Sequence, residues 1–547
     1  MTTTAAVHVR TRASGPGAAP DVAARLAVAQ LRALGWRVRP ELPCRSGVFT
    51  AQAGPFRARA DLSCAGPVDL ALGGEADVQA ACGLMHVHGR RYGGPTALGI
   101  AYASALAGTL AATGTLAALV DQAAGRGGDD RCVTPSVTTS VAQAALLSVG
   151  QYLAAATAAD EEWSEPATPG GPPFAAADGV RFELETLDPE AWRGFWAAVG
   201  ADRADAGRGW LPFQQRYGTA VCPLPVGLLA ATAGLPFADL ERLARETGVD
   251  LTPVAAEPRD LLPDGWPWRV VPGRSVGTAR ERGGGPHAGD GPLAGVIVVE
   301  VCRRVQGPLA GHLLRLLGAR VVRVEPPGGD PMRGMPPMAG DCSARFVALN
   351  HGKETQEADL ATASGRATVR ELAAGADVFL HSLAPGKDRA LGLDAEALAE
   401  VNPGLVHVAA SGWGEERGER PPVGTDFPVQ AWSGLAALVT PPGLPPTPSL
   451  FTLTDVLGGA VCAEGAVAGL LAARLTGRGQ ALTSSLLSAA RMLCLPELRS
   501  PDAGPELEPS IVPCTDLADL AADPRFAAAL DRDGDCTVVR SPWEFHR

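Results

Sequence analysis

The sequence predicts an α/β protein built on a parallel β-sheet, with a second and degenerate copy of the same unit in the first half. Two observations carry this prediction. Buried strands and helices alternate after residue 292, as in a doubly wound sheet. The segment FTLTDVLGGAVCAEGAVAGLLAARLTGRGQ at 451–480 also has an earlier counterpart at 100–128, where Ser104 stands in place of Asp455.

The alternation begins with Val296–Val301, an apolar and β-branched run typical of a strand buried on both faces. Leucines at helical spacing follow it, and RVVRVEPP then forms a second strand that two prolines stop. The next elements are predicted as a helix over 364–374, a strand over 377–380, a helix over 394–401 and a strand over 405–409. The turn after the first strand is not G-x-G-x-x-G, which argues against a dinucleotide site.

The two halves share further segments in a common order. RLAVAQLRALGWRVRPELP at 25–43 echoes LAGHLLRLLGARVVRVEPP at 309–327. Both halves also end on a tryptophan-containing segment, at 265–273 and at 541–547. The shared order favours duplication over chance similarity in an alanine-rich chain.

Complementary deletions distinguish the halves. We expect the first half to lack most of the β/α run between about 44 and 85, and the second to lack a counterpart of 172–200. A glycine-rich, charged and aperiodic linker separates them. The predicted domains are a disordered N-terminus (1–20), a degenerate large-domain copy (21–165), a small domain (166–273), the linker (274–291), a large domain (292–495) and a C-terminal tail returning to the large domain (496–547).

Composition excludes several classes of protein. A net charge of −12 over 547 residues disfavours nucleic acid as a partner. No apolar run has the flanks of a membrane span, and the N-terminus has no signal-peptide core. The 11 cysteines form no C-x-x-C pair, which predicts a reducing, cytoplasmic compartment and no metal site.

Several of these segments resemble the class III CoA-transferases of the CaiB/BaiF type, which include formyl-CoA transferase, carnitine CoA-transferase and alpha-methylacyl-CoA racemase. The resemblance is strongest across 292–495, in PLAGVIVVEVCRRVQGP, GARVVRVEPPGGDPMRG, TDFPVQAWSGL and TDVLGGAVCAEGAVAGLLAARLTGRGQ. It implies a Rossmann-like large domain and a small α+β domain, with two interlocked chains sharing a site. We therefore expect a pseudo-dimer within one chain, and a further homodimer is possible.

The resemblance implies that Asp455 is the nucleophile. Its carboxylate would form a mixed anhydride with the acyl group and then an aspartyl thioester with CoA. Gly458 and Gly459 would leave backbone amides accessible to the developing oxyanion. On the residues alone, the same aspartate could instead be a helix N-cap.

The resemblance also implies CoA as a co-substrate, with no permanently bound cofactor. Phosphates are bound by cations, and the candidates by position are Arg303, Arg323, Arg333 and Lys353. The neutral Gln306 is a fifth candidate contact for CoA. The chain departs from the family pattern at two positions in this region, where Glu354 and Ala384 replace basic residues.

A racemase of this family carries histidine directly before the aspartate of GTDFPVQ, where this chain has Thr425 before Asp426. That argues against racemisation. The sequence therefore predicts a cytoplasmic CoA-transferase acting on an acyl-CoA and a carboxylate acceptor. The alternatives are a CoA-ester isomerase, dehydratase or lyase on the same fold, or a catalytically inactive scaffold subunit.

Overall fold

A computed structural model describes residues 19–39, 47–125, 134–160, 162–163, 168–259, 267–275, 290–418, 421–499 and 509–546. Nearly all of the predicted N-terminal disorder (1–20) and most of the predicted linker (274–291) lie outside these residues. The described part forms two large α/β units with a smaller α+β unit between them in the chain.

The first unit is a five-stranded mixed sheet with helices. Its helices are α1 (Ala19–Ala33), α2 (Glu75–Ala81), α3 (Leu84–Gly89), α4 (Tyr102–Ala123) and α5 (Val141–Ala156). Its strands are β1 (Arg37–Arg39), β2 (Val48–Ala53), β3 (Phe56–Ser63) and β4 (Ser136–Ser140). A short 3-10 helix, Arg90–Tyr92, follows α3.

The small unit is a three-stranded antiparallel sheet covered by four helices. In chain order it contains β5 (Phe174–Ala175), β6 (Arg181–Glu185), α6 (Pro189–Ala198), α7 (Arg203–Thr219), α8 (Val226–Ala233), α9 (Phe237–Thr247) and β7 (Asp250–Pro253). Aromatic side chains, including Trp192, Phe195 and Trp196, fill its core.

The second unit contains a seven-stranded sheet. Its strands, with a small hairpin, are β8 (Arg269–Ser275), β9 (Ile297–Val301), β10 (Arg320–Glu325), β11 (Met338–Ala339), β12 (Cys342–Ser343), β13 (Glu354–Glu357), β14 (Val378–His381), β15 (Val406–Ser411) and β16 (Arg478–Ser485). Its helices are α10 (Gln306–Leu316), α11 (Ala344–Asn350), α12 (Ala363–Gly375), α13 (Lys387–Leu391), α14 (Ala395–Ala399), α15 (Asp426–Ser433), α16 (Leu435–Val439), α17 (Leu453–Thr476) and α18 (Leu486–Leu493). The tail adds α19 (Leu517–Ala522), β17 (Leu530–Asp533), β18 (Cys536–Val539) and β19 (Glu544–His546).

The seven-stranded sheet has the order β13-β10-β9-β14-β15-β16-β8. Every neighbouring pair is parallel except β16 with β8. The predicted α/β class with a parallel sheet is therefore confirmed. Its helices and strands fall within a few residues of the predicted ones because strands buried on both faces carry a clear apolar signal.

Each half places its final strand in the sheet of the other half. The first half's last strand, β8, pairs with β16, and the chain's last strand, β19, pairs with β4 in the first sheet. Trp268, just before β8, donates its indole N–H to the Val461 carbonyl at 2.7 Å, and Trp543, just before β19, donates to the Leu110 carbonyl at 2.8 Å. The tail, predicted to return to the large domain, instead adds its last strand to the first-half sheet. The predicted small domain (166–273) extends past the small unit and includes most of β8, which joins the second sheet.

The long helices α4 and α17 pack against each other in one core that spans both halves. Both have the length and hydropathy of a membrane span, and 100% and 89% of their apolar windows are buried inside the molecule. Their equivalence extends to their glycines. A Cβ on Gly459 would lie 2.7 Å from the Gln306 carbonyl of α10, and one on Gly108 would lie 2.5 Å from the Ala23 carbonyl of α1.

Candidate active site

Asp455 lies in the first turn of α17, where the helix begins at Leu453 after Thr452. It is the third helical residue and not the N-cap, so the alternative interpretation as a capping aspartate is wrong. The side chain is 9% exposed. Among the described residues, none donates a hydrogen bond to its carboxylate. The site therefore holds an unpaired carboxylate close to a helix N-terminus.

Asp426, the first residue of α15, fixes the start of α17. Its carboxylate accepts a hydrogen bond from the Asp455 backbone N–H at 2.7 Å and another from the Gln430 side chain. Gln430 in turn bonds both backbone groups of Ser449, at 2.9 and 3.1 Å. Asp426 is fully buried, so these bonds are what satisfies its charge.

The small unit packs over this pair of carboxylates. Glu185, at the end of β6, accepts hydrogen bonds from the hydroxyls of Tyr217 and Thr425 and from Arg216 at 3.1 Å. Thr425 immediately precedes Asp426, and the Tyr217 ring stacks on Phe427 at 4.6 Å. A first-half domain therefore meets a second-half helix terminus beside Asp455.

Burial and like charge hold protons in this cluster. Burial raises the pKa of Asp455 well above its usual value, Asp426 raises it further, and Arg304 opposes the shift. Burial also raises the pKa of Asp426 to about 6, while its hydrogen bonds to Gln430 and the Asp455 backbone oppose that rise. The two carboxylates titrate as a pair, so the raised pKa belongs to the pair and not to either residue alone.

Arg304 is a site residue that the sequence analysis missed in favour of Arg303. Its φ of 68° is in the left-handed region, an uncommon conformation for arginine. The half-buried guanidinium acts on Asp455 and Tyr217 and has no ion-pair partner within the described residues. Arg303 is exposed, and only its backbone N–H bonds the Ser382 hydroxyl, at 3.1 Å. No sequence pattern distinguishes two adjacent arginines in a turn.

Gln306 begins α10 beside the first turns of α17. Its side chain is buried and its amide NH₂ group has no hydrogen-bond partner in the described structure. A Cβ on Gly458 would lie 3.0 Å from that nitrogen. The amide is therefore a free donor one turn along α17 from Asp455.

The predicted role of Gly458 and Gly459 as backbone donors is wrong. Both lie inside α17, where each N–H is taken by the carbonyl four residues earlier. Their lack of a side chain instead allows α10 to approach closely, since a Cβ on Gly459 would lie 3.0 Å from the Leu309 Cβ.

Two of the cations predicted to bind CoA already form ion pairs with carboxylates of the protein. Arg323 is 2% exposed and pairs with Glu300, Glu325 and Asp330. Lys353 is equally buried, and its ammonium bonds Glu300 at 2.8 Å, the Pro308 carbonyl and Asn350, in a setting that lowers its pKa to about 8. These contacts argue against a direct CoA contact by either side chain.

Arg333 remains accessible. It bonds Glu325 through two nitrogens, each at 2.8 Å, and its side chain is 38% exposed. Of the five predicted contacts, Arg303, Gln306 and Arg333 keep a surface or donor for a ligand. In the described part of the chain, no three His, Cys, Asp or Glu side chains group as metal ligands.

The first half retains a counterpart of the site that the sequence analysis overlooked. Glu75 begins α2 as Asp426 begins α15, and it accepts hydrogen bonds from the Ser104 hydroxyl at 2.6 Å and the Ser104 N–H at 2.9 Å. Gln79 bonds Glu75 at 3.0 Å, in the place that Gln430 takes beside Asp426. The expected loss of the run to residue 85 is therefore wrong for its last part. The signal was EADVQAACGL, which aligns with DFPVQAWSGL at the offset that relates Ser104 to Asp455.

This counterpart is closed. Ser104 is completely buried, and its hydroxyl donates a hydrogen bond to the Glu75 carboxylate. The matching positions of the second half hold two carboxylates, Asp455 and Asp426, which repel each other when both are ionised. Residues of the tail lie over it: Ser510 donates to Asp77, and the Cys514 N–H donates to the Ala80 carbonyl at 2.9 Å. A short tail segment stands here where the small unit stands over Asp455.

Comparisons with known proteins agree with this architecture. The family model described as CoA-transferase family III matches residues 64–264 and 293–524. The acetyl-CoA:oxalate CoA-transferase of Acetobacter aceti is 34% identical over 203 residues, covering 37% of this chain and 52% of that protein. The human succinyl-CoA:glutarate CoA-transferase is 32% identical, covering 37% of this chain and 47% of the relative.

A third relative, the succinyl-CoA–D-citramalate CoA-transferase of Chloroflexus aurantiacus, is 35% identical and covers 35% of this chain and 48% of its own. The chain thus spans about half the length of the curated relatives it matches. A solved CAIB/BAIF family protein from Brucella suis is 33% identical, with a TM-score of 0.35, over 37% of this chain and 55% of that one. Because the two matched segments together cover more than half of its residues, the chain belongs to CoA-transferase family III and carries that family's unit twice.

Proposed function

We propose that the protein transfers CoA between an acyl-CoA and a carboxylic acid, with Asp455 as the nucleophile. The observation that carries the proposal is the unpaired Asp455 carboxylate, poised at a helix N-terminus between the two halves. The names of the relatives support it, since they describe CoA transfer to oxalate, glutarate and citramalate.

In this proposal an Asp455 oxygen attacks the thioester carbonyl, the C–S bond breaks, and CoA leaves as a thiolate. The thiolate then attacks the Asp455 carbonyl of the mixed anhydride, which releases the donor acid and leaves an aspartyl thioester. The acceptor carboxylate repeats these two steps in reverse. It displaces the thiolate from Asp455, and the thiolate attacks the new acyl group to restore the free carboxylate.

The neighbouring groups can stabilise the negative charges of this reaction. The N-terminus of α17 and the Arg304 guanidinium favour the ionised form of Asp455 against its burial. The free Gln306 amide supplies a neutral donor for the oxyanion that forms during attack. Removing such a donor costs about 10²- to 10³-fold in kcat in other enzymes.

The test compares Asp455→Asn with Ser104→Ala, the matched variant at the equivalent position of the first half. Wild type and Ser104→Ala should exchange CoA between an acyl-CoA and an added dicarboxylate. Hydroxylamine should displace CoA or the donor acid from the activated Asp455 carbonyl and leave a hydroxamate on Asp455, which mass spectrometry of the peptide detects. Asp455→Asn should give neither product nor adduct because the amide oxygen is a far weaker nucleophile. An adduct on another residue, or equal loss in both variants, would contradict the assignment.

A second candidate is an inactive CoA-transferase-like scaffold. Three ion pairs favour it. Arg323 and Lys353 are buried in pairs with Glu300, and Glu354, which replaces a basic residue of the family pattern, pairs with Arg320 at 2.6 Å. Calorimetric titration with CoA separates the two candidates. Binding with no turnover over a broad acyl-CoA panel would leave a CoA-ester isomerase, dehydratase or lyase to test, and absence of binding would favour the scaffold.

A further inference from the structure

The six residues before and at the start of the site helix, 448–453, are held by side chains of the first half. We call them the nucleophile loop. Arg91 donates to the Pro448 carbonyl at 2.6 Å, and His88 lies 2.7 Å from the Ser449 hydroxyl. The last two contacts reach the helix start itself: Gln151 donates to the Thr452 hydroxyl at 3.0 Å, and the Tyr102 hydroxyl donates to the Leu453 carbonyl at 3.1 Å.

These four first-half side chains are buried. Hydrogen bonds away from water are costly to leave unmade, so each contact constrains the loop. Arg91 also donates through its other terminal nitrogen to the Pro172 carbonyl at 2.6 Å, which ties the start of the small unit to the same loop. The loop is thereby fixed relative to both first-half units.

At three matched positions, only the first half has a side chain that can donate a hydrogen bond. At the offset that relates Glu75 to Asp426, the second half has Val439, Pro442 and Leu453 in place of His88, Arg91 and Tyr102. None of those three side chains can donate a hydrogen bond. The first half therefore carries the donors, and the second half carries the reactive acid that follows the loop.

We propose that Tyr102 and Gln151 are positioning residues for Asp455. Helices α4 and α5 of the first half, which carry these two side chains, would then hold the nucleophile in place. The inference rests on the proposed function of Asp455. Thr452 is the N-cap of α17, Leu453 is its first residue, and Asp455 follows within the same turn. Fixing those two positions fixes the direction from which the carboxylate approaches the acyl carbon, and a misplacement of about 1 Å can cost about 10²-fold in rate.

The experiment compares Tyr102→Phe and Gln151→Met with Tyr92→Phe. Tyr92 is a matched control from the same half, since its hydroxyl has no hydrogen-bond partner in the described structure. The two positioning variants should lower kcat by about 10- to 100-fold. The KM for acyl-CoA should change less than about twofold, because ground-state binding is untouched. Tyr92→Phe should match wild type in both constants.

Amide hydrogen exchange of the peptide covering 448–458 supplies a readout independent of catalysis. Exchange should accelerate in both positioning variants and stay unchanged in Tyr92→Phe. With an active wild type, an unchanged kcat, or a lowered kcat with unchanged exchange, would overturn the inference and leave the proposed function standing. An inactive wild type would instead reject the proposed function, and the exchange result alone would then decide whether these side chains hold the loop.

Discussion

At the scale of single residues, the proposed reaction needs an ionised Asp455 carboxylate in surroundings that disfavour the charge. Asp455 is buried beside a second acid, and both effects raise its pKa. Only the carboxylate form can attack. The fraction of reactive protein therefore falls as pH falls through the raised pKa of the pair, and it grows as pH rises.

The variant Asp426→Asn should shift this dependence to lower pH. The amide oxygen still accepts the Asp455 backbone N–H, while the like charge that raises the Asp455 pKa is gone. The measurement is the rate of adduct formation against pH in a single turnover. Wild type should need a higher pH than the variant to reach its plateau. A profile that stays in place, or moves to higher pH, would contradict the coupling of the two acids.

The position of a residue was predictable where it depends on a local motif, as for Asp455 of TDVLGG in the first turn of a helix. It was not predictable where the partner comes from elsewhere in the chain. Arg323 and Lys353 follow the pattern of phosphate-binding cations, but Glu300 lies between them in the fold and takes both. Arg304 differs from its neighbour Arg303 in its positive φ and in its half-buried side chain, and the sequence shows neither.

At the scale of elements, the two long helices depend on glycine where a tryptophan crosses them. A Cβ on Gly465 would lie 2.8 Å from the Trp268 ring, and one on Gly114 would lie 2.7 Å from the Trp543 ring. Each indole also bonds a carbonyl of the same helix. The exchanged strands are thus fastened at two equivalent points.

Gly465→Ala and Gly114→Ala should each destabilise the protein by about 1–3 kcal/mol, since the rigid ring must shift to admit the methyl group. Gly207→Ala is the control. Gly207 lies in α7, and no atom stands within 4 Å of the place an added methyl group would take, so alanine should be neutral or stabilise the helix by up to about 1 kcal/mol. Urea unfolding checks all three. Equal midpoints for Gly465→Ala and Gly207→Ala would show that the tryptophan contact is dispensable.

The elements of the second half were predictable because its parallel strands are apolar on both faces. The first half was harder. Its β1–β2–β3 edge is antiparallel, and α2 is only seven residues long with a polar start, so periodicity gives little signal there. The match between α2 and α15 becomes clear from equivalent hydrogen bonds: Glu75 of α2 accepts from a backbone N–H of α4, and Asp426 of α15 accepts from a backbone N–H of α17.

At the scale of the whole molecule, strand exchange makes the halves inseparable without unfolding a sheet edge. Neither sheet is complete without the other half, because β8 and β19 cross between them. A protease site inserted within 276–289 should therefore yield two fragments that stay together after cleavage.

Cleaved protein should elute at the volume of the intact chain in size-exclusion chromatography and keep its CoA exchange, while urea should release two fragments. Uncut protein carrying the same insertion serves as the control, because it separates the effect of cleavage from the effect of the added residues. Elution as two separate species in native buffer would contradict the exchange of strands.

The contacts from Tyr102 and Gln151 to the nucleophile loop have a genetic consequence. In an assembly of two identical chains, one codon specifies a residue in both places, so a change that improves one role is also imposed on the other. Here Tyr102 and Leu453 are separate codons for matching positions. Each can mutate alone, so selection can act on the side chains that hold the loop and on the proposed nucleophile independently.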